Sequence, residues 1–383
     1  MSKIRIALAD DSAFMRKALE RMFAEDDDFE VVALVSNGEE AVEVAIKKKP
    51  DILLLDVQMP RMDGLVALEN IMKQAPMPVI MVSSLTSDGA ATTIKALELG
   101  AVDFISKDIS YGSAGMKNLV SEIKGKIRAL MSEPDITKRL VTTTAAIERG
   151  RGKATELAKP VVSVAQLPTS SAEYTTTAAR HTAIPAMKKI VLIGVSTGGP
   201  QSLQSVIPFI PNDIGVPIIL VQHIPVNFTL FLAERLNSIS SIKVVEAKDG
   251  DVLEPNVVYI AKSGYRTLVN KKGNDKVLAI VPPLAGLLYN PSVDDTFSSV
   301  VDIYGGDTLG VVMTGMGKDG ALGCEKIKAA GGFVISQDEK SSIVFGMPNV
   351  VISAGLADEI VSLTDLAARI DFHINGTRDN KRQ

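Results

Sequence analysis

Two groups of side chains in this 383-residue sequence have the types and spacing to do chemistry. One is a set of carboxylates with a serine and a lysine: Asp10 and Asp11, Asp56, Ser83 and Lys107 each end or follow a short apolar run. Three carboxylates gathered at one sheet edge repel unless a divalent cation sits among them, and hard oxygen ligands suit Mg²⁺. With the cation in place, Asp56 can attack a phosphoryl donor, while the Ser83 hydroxyl and the Lys107 ammonium stabilise the phosphoryl oxygens. Any one of these residues alone reads as a helix cap or a solvated loop. All of them at strand ends in one short stretch read as a site.

The other group is hydrolytic. Gly194-Val195-Ser196-Thr197-Gly198-Gly199 follows the apolar run KKIVLIGV and precedes a helix opened by Pro200. A glycine-rich strand-to-helix turn lifts Ser196 clear beside a helix N-terminus that favours negative charge. The string fits G-x-S-x-G, the pattern of a nucleophile elbow, and does not fit the dinucleotide pattern G-x-G-x-x-G. By itself such a turn is as compatible with plain structure as with a nucleophile. The histidines strengthen the second reading: the chain has three, of which His181 falls in a polar, low-complexity stretch and His373 near the tail, while His223 ends the run GVPIILVQ. A serine nucleophile needs a base within reach, and His223 is the one placed to serve. Asp319, in VVMTGMGKDGA after another apolar run, is positioned to orient the imidazole. The order Ser, His, Asp differs from that of α/β-hydrolases, chymotrypsin-like and subtilisin-like enzymes.

These residues need sheets to bring them together. From Ile4 to about Met131, five apolar runs of strand length alternate with amphipathic stretches, which predicts a parallel sheet with helices on both faces. The rhythm dissolves between Ser132 and Met187 into Thr, Ala, Ser and charge, predicting a linker over 132–187 with a helix near 145–157. It returns at Lys188, so a second, mostly parallel α/β domain is expected over 188–372, with a hairpin between Ile242 and Ile280 and a tail over 373–383. In a parallel open sheet, residues after the carboxyl ends of neighbouring strands converge even when far apart in sequence.

Composition agrees with two cores: 46% apolar and 22% charged residues are ordinary for a globular chain of this length. A formal charge of −4 offers none of the cationic excess that nucleic acid selects for. The single cysteine fits a reducing compartment, and neither a signal-peptide core nor a run long enough to span a bilayer is present, which predicts a cytoplasmic protein without membrane insertion.

Residues 3–130, through IRIALADDSAFMR, DILLLDVQMPRMDGL, VIMVSSL and LGAVDFISK, resemble the receiver domain of two-component response regulators. The resemblance implies a flavodoxin-like (βα)5 domain spanning 1–131, phosphorylated on Asp56 by a chemotaxis histidine kinase. It implies also that Asp10, Asp11, Asp56 and the backbone carbonyl of Gln58 hold Mg²⁺, that Ser83 and Lys107 sense the phosphoryl group, and that Phe104 is the aromatic switch residue. Where that family follows its lysine with proline, this chain has Asp108.

IGVSTGG, VQHIP with FTLFLAERLN, and VVMTGMGKDGALG together resemble the catalytic domain of chemotaxis protein-glutamate methylesterases over nearly all of 188–370, and the receiver-linker-hydrolase order is that family's order. The resemblance implies hydrolysis of glutamate γ-methyl esters on methyl-accepting chemotaxis receptors, with glutamine deamidation in many relatives, and no cofactor in the hydrolase. By position, Ser196 is the nucleophile, His223 the base, Asp319 the orienting carboxylate, and backbone N–H groups near Thr197 and Met316 the oxyanion-hole candidates. Tyr289-Asn290 replace the basic pair that many members carry before Pro-Ser-Val-Asp. The competing reading is a non-catalytic response regulator whose C-terminal domain only binds a partner, with Ser196 an ordinary turn residue. Cys324 reads as buried structure, and Asp294 and Asp295 as caps of the helix that follows them.

Overall fold

The computed structural model describes residues 3–83, 87–107, 112–140, 187–284 and 289–376, without the side chains of 87–91 and 112–114. The expected helix near 145–157, most of the linker, His181, Asp108 and the last seven residues lie outside the described residues.

Strands β1 (Ile4–Ala9), β2 (Phe29–Val35), β3 (Ile52–Asp56), β4 (Val79–Ser83) and β5 (Asp103–Ser106) form one parallel sheet in the order β2-β1-β3-β4-β5. Strand residues alternate between its two faces. Ile6, Leu8, Ile52, Leu54, Ile80 and Val82 belong to one apolar cluster, and Ala7, Ala9, Leu53, Leu55, Val79 and Met81 to another, as the period of two requires. Helices α1 (Ala13–Ala24), α2 (Gly38–Lys48), α3 (Gly64–Gln74), α4 (Ser87–Glu98) and α5 (Gly112–Met131) cover both faces, so every residue of β3 and β4 is buried. Ser12, Asn37 and Asp63 start α1, α2 and α3 by accepting from the N–H groups of Met15, Glu40 and Val66.

The second sheet has seven strands, all parallel: β6 (Ile190–Val195), β7 (Ile218–Gln222), β8 (Lys243–Glu246), β9 (Val257–Ile260), β12 (Thr308–Val312), β13 (Phe333–Gln337) and β14 (Glu359–Val361), ordered β14-β13-β12-β6-β7-β9-β8. β10 (Arg266–Lys272) and β11 (Asp275–Val281) form the expected antiparallel hairpin outside it. Helices α6 (Gly199–Leu203), α7 (Phe228–Ile239), α8 (Val293–Tyr304), α9 (Ala321–Ala329), α10 (Met347–Ser353) and α11 (Leu366–Asn375) complete the unit. The strand order reverses at β6, whose neighbours are β7 on one side and β12 on the other, and such a switch point opens a crevice at the carboxyl edge.

Two readings of the sequence need correction here. α11 runs through His373 to Asn375, so the residues from 373 do not begin as a tail. His373 is 3% exposed and bonds Glu359, the first residue of β14, at 3.0 Å, on the opposite edge from the end of β7. Nor does the linker begin freely at 132: residues 136–140 are helical and Leu140 is fully buried. Among the described residues no helix is long and apolar enough to cross a membrane.

Candidate active site and phosphoacceptor site

Ser196 directly follows β6, His223 directly follows β7, and Asp319 lies in the loop after β12, so three adjacent strands deliver one residue each to one edge. His223 Nε2 lies 2.8 Å from Asp319 Oδ2. The same carboxylate oxygen accepts from Val293 N–H at 2.7 Å, while Oδ1 accepts from Ser292 Oγ at 3.0 Å and Asp294 N–H at 2.9 Å. Burial works to raise the Asp319 carboxyl, but the bond and charge of His223 and these N–H groups outweigh it and hold it below the ordinary carboxylate range. With Nε2 tied to Asp319, the proton-accepting atom left on the ring is Nδ1, which is buried and has no hydrogen-bond partner among the described residues. The Ser196 hydroxyl is therefore not hydrogen-bonded to His223 in this arrangement, a bond that apo hydrolases often form only with substrate in place.

The serine turn is fixed by backbone and amide bonds. Ser196 N–H donates to Thr314 O at 3.0 Å. Gln222 Nε2 donates to Ser196 O and His223 O, both at 2.9 Å, joining the Ser196 and His223 segments. Gly315 packs against the serine so closely that a Cβ there would stand 2.7 Å from Ser196 Cβ. This brings the Met316 segment beside Ser196, and Thr314 Oγ1 donates to Thr197 O at 3.0 Å, linking the two segments from which oxyanion donors were expected.

Asp294 and Asp295 do not cap their own helix. Ser292 does, accepting from Asp295 N–H at 3.3 Å. Asp294 instead reaches the start of α9, where its Oδ1 accepts from Gly320 N–H at 2.9 Å and Gly323 N–H at 2.8 Å, and Asp295 pairs with Arg266 at 2.6 Å. Burial, with the nearby charge of Asp319, pushes the Asp294 carboxyl up to about 6 against those N–H groups. Cys324, in α9, is fully buried and burial pushes its thiol up, which leaves it inert as expected.

In the first sheet, Asp10, Asp11 and Asp56 offer carboxylate oxygens within 4.8 Å of one another. Lys107 Nζ bridges two of them, 2.8 Å from Asp10 and 2.5 Å from Asp56. Burial, reinforced by Asp10, raises the Asp56 carboxyl, with Lys107 opposing. Gln58 N–H donates to Asp56 at 3.3 Å, so its peptide stands beside the acceptor. Ser83 is 1% exposed at the end of β4, with Lys107 N–H on its carbonyl at 2.8 Å. Three hard carboxylates so close together fit a divalent cation.

Phe104 is not at this edge's surface. Its ring lies 4.3 Å from that of Phe228 in α7, between the two sheets' units. There Glu98 of α4 pairs with Arg235 of α7, and Gly125 of α5 faces the Met316 methyl group at 3.8 Å from its would-be Cβ. The helices flanking β5 thus lie across the edge that carries Ser196, which is 8% exposed.

The family model for the response regulator receiver domain matches residues 6–114, and that for CheB methylesterase matches residues 191–370. A protein-glutamate methylesterase/protein-glutamine glutaminase of Shewanella frigidimarina is 37% identical over 96% of this chain and 98% of its own length. The chain belongs to that family. A relative of the same name from Pyrococcus abyssi is 42% identical over 94% of this chain and 91% of its own length. The solved catalytic domain of Thermotoga maritima CheB methylesterase is 39% identical over 49% of this chain and 98% of that chain, with a TM-score of 0.47.

The sequence assigned no role to several residues of this site. Tyr289 stacks on His223 with ring centroids 4.1 Å apart and planes 4° from parallel, and its hydroxyl lies 3.1 Å from a would-be Gly317 Cβ. Its place beside Pro-Ser-Val-Asp was the available signal. Gln222, Ser292 and Thr314 adjoin motif residues, yet nothing in their types distinguished them from ordinary strand-end residues.

Proposed function

We propose that this chain hydrolyses glutamate γ-methyl esters of chemoreceptors and deamidates receptor glutamines, with Ser196, His223 and Asp319 as the catalytic set. The observation that carries the reading is the delivery of these three residues by three adjacent strands, with the His223–Asp319 bond at 2.8 Å. Ser196 Oγ attacks the side-chain carbonyl carbon as its proton passes to His223 Nδ1; that proton then goes to the leaving methanol or ammonia. The tetrahedral oxyanion faces the N–H groups of Thr197 and Met316. Water, deprotonated by the same ring, releases the free glutamate and restores the serine. Asp319 holds the Nε2–H and stabilises the imidazolium formed in each half-reaction. The binding-only alternative is disfavoured because it gives no reason for an imidazole with one nitrogen anchored and the other unpaired.

The regulatory half of the proposal makes Asp56 the phosphoacceptor, supplied by a histidine kinase. Asp10, Asp11, Asp56 and the Gln58 carbonyl would hold Mg²⁺, which neutralises phosphoryl charge when bound. Ser83 and Lys107 then contact the phosphoryl oxygens. Release of Lys107 from its two carboxylates and rearrangement around Phe104 loosen the packing on Phe228 and uncover Ser196. The reading places the protein in the cytoplasm, with receptor and kinase as partners and no nucleic acid.

Mass spectrometry of receptor peptides after incubation with the full chain and a phosphodonor tests this. Loss of methyl esters, and glutamine-to-glutamate conversion, should occur with the parent and cease with Ser196→Ala, whose receiver still takes up phosphate. Equal turnover by the variant would end the proposal.

A further inference from the structure

Residues 133–140 stand at the start of the expected linker, yet they are bound to the hydrolase by polar contacts of their own. Glu133 and Arg139 pair at 2.8 Å with both side chains only 11% exposed. Each also holds backbone of the hydrolase: Glu133 Oε1 accepts from Phe345 N–H at 2.7 Å, and Arg139 Nη1 donates to Ser342 O at 3.0 Å. Leu140 and Ile343, both fully buried, share one apolar cluster. An ion pair sequestered this far does more than tack down a surface, since removing either member strands the other and, for Glu133, a backbone donor.

The loop so held is the scaffold of both candidate oxyanion segments. Val344 N–H donates to Thr314 Oγ1 at 2.9 Å, Val344 O accepts from Gly315 N–H at 3.0 Å, and Thr314 in turn bonds Thr197 O. A Cβ on Gly198 would meet Ile343 at 2.7 Å, and one on Gly346 would meet Gly315 O at 2.6 Å. Residues 342–346 therefore touch the turns on either side of Ser196 with no slack. The receiver's contacts through Phe104 on Phe228, Glu98 on Arg235 and Gly125 facing Met316 use other residues of the hydrolase, while the apolar cluster of Leu140, Ile343 and Val344 runs on into α1 and α5 of the receiver.

We infer that Glu133 and Arg139 are positioning residues of the hydrolase, bracing the 342–346 loop that sets the Thr197 and Met316 N–H groups, and that this brace stays engaged when the receiver lifts away. The inference rests on the reading of Ser196 as nucleophile with those two donors. Misplacing an aligned group by about 1 Å can cost on the order of 100-fold in rate.

The test uses the full chain with acetyl phosphate and Mg²⁺. Glu133→Ala and Arg139→Met should lower the activated kcat for receptor demethylation about tenfold with KM within about twofold, while Glu133→Gln, which keeps an acceptor for Phe345 N–H but turns its NH₂ toward Arg139, should show an intermediate loss. The rate at which a fluorophosphonate labels Ser196 should fall in step. Arg139→Lys, which keeps the charge and loses the fork, should show a smaller loss of the same kind and carries the test should the alanine variant not fold. Activated kcat and labelling unchanged in Arg139→Met and Arg139→Lys would overturn the inference. So would higher activity without phosphodonor at undiminished activated kcat, which would make the segment a clamp for the receiver. A parent whose Ser196 takes no fluorophosphonate would overturn the nucleophile reading, and this inference with it.

Discussion

Asp319→Asn keeps the shape of the third residue of the proposed catalytic set and changes only what its two oxygens can do. In the parent, Oδ2 accepts from His223 Nε2 and Val293 N–H, and Oδ1 from Ser292 Oγ and Asp294 N–H. An amide must place its NH₂ at one of these positions. At the Oδ2 position it meets two donors; the imidazole can move its proton to Nδ1 and accept through Nε2, but Val293 N–H cannot reverse. At the Oδ1 position the Ser292 hydroxyl can rotate, but Asp294 N–H cannot. Either way one buried backbone donor loses its acceptor, at a cost of about 1–3 kcal/mol in stability. The first orientation also occupies the ring nitrogen that must take the serine proton, and a wrong tautomer of this kind lowers kcat by roughly 10⁴ in a comparable triad. The expected result is a folded protein that is less resistant to urea, with methanol release from methyl-labelled receptors down at least 10³-fold, about 4 kcal/mol of barrier, and KM little changed. The two effects are measured independently, by denaturation and by steady-state kinetics. A variant within about threefold of the parent kcat would show that His223 needs no anchored Nε2–H, and the assignment of Asp319 would fall.

Asp56→Asn should take up no phosphate from acetyl phosphate and show no activation, since the amide lacks nucleophilic charge and removes one cation ligand; an acid- and base-labile phosphoryl group on the variant would point to another acceptor. Tyr289→Leu should lower kcat several-fold through loss of the ring that fixes the His223 plane, with Tyr289→Phe near the parent; equal losses in both would move the role to the hydroxyl. Asp294→Asn keeps the Oδ1 acceptor used by Gly320 and Gly323 and removes a charge whose folded-state pKa, about 6, lies above the ordinary value. The parent's Asp294 therefore favours folding fully below about pH 4 and loses that contribution as pH rises through 6. Urea titrations should show the variant's stability falling less across that window, and parallel pH curves would refute the shift.

The alternation of apolar runs and amphipathic stretches sufficed to read both parallel sheets, because buried strands and half-buried helices carry opposite periodicities. The separate hairpin was legible for a similar reason, through Gly and Pro punctuation around β10 and β11. That Asp56 meets Asp10 and Asp11, and Ser196 meets the edge that carries His223, was legible because topology alone brings strand ends and the residues just after them together. Side chains that act across the fold were not. The partners of Asp294 lie about 26 to 29 residues away at the start of α9, and nothing local distinguishes such a carboxylate from a cap of its own helix. His373 looked like tail because α11 is short and followed by polar residues; its burial comes from packing against Phe333 and Glu359. The polar letters of 132–140 likewise concealed a buried ion pair, since Glu and Arg read as solvated until both partners are known.

Cys324 is the only thiol in the chain and it is sealed in the core on the buried face of α9. The native protein should therefore stay silent toward maleimides and disulfide reagents for as long as the hydrolase remains folded. That silence makes the wild-type sequence its own blank background. A single cysteine installed on an exposed face of either half would be the one reactive site, so a spin label or fluorophore pair could follow the separation of the two halves without first deleting native thiols.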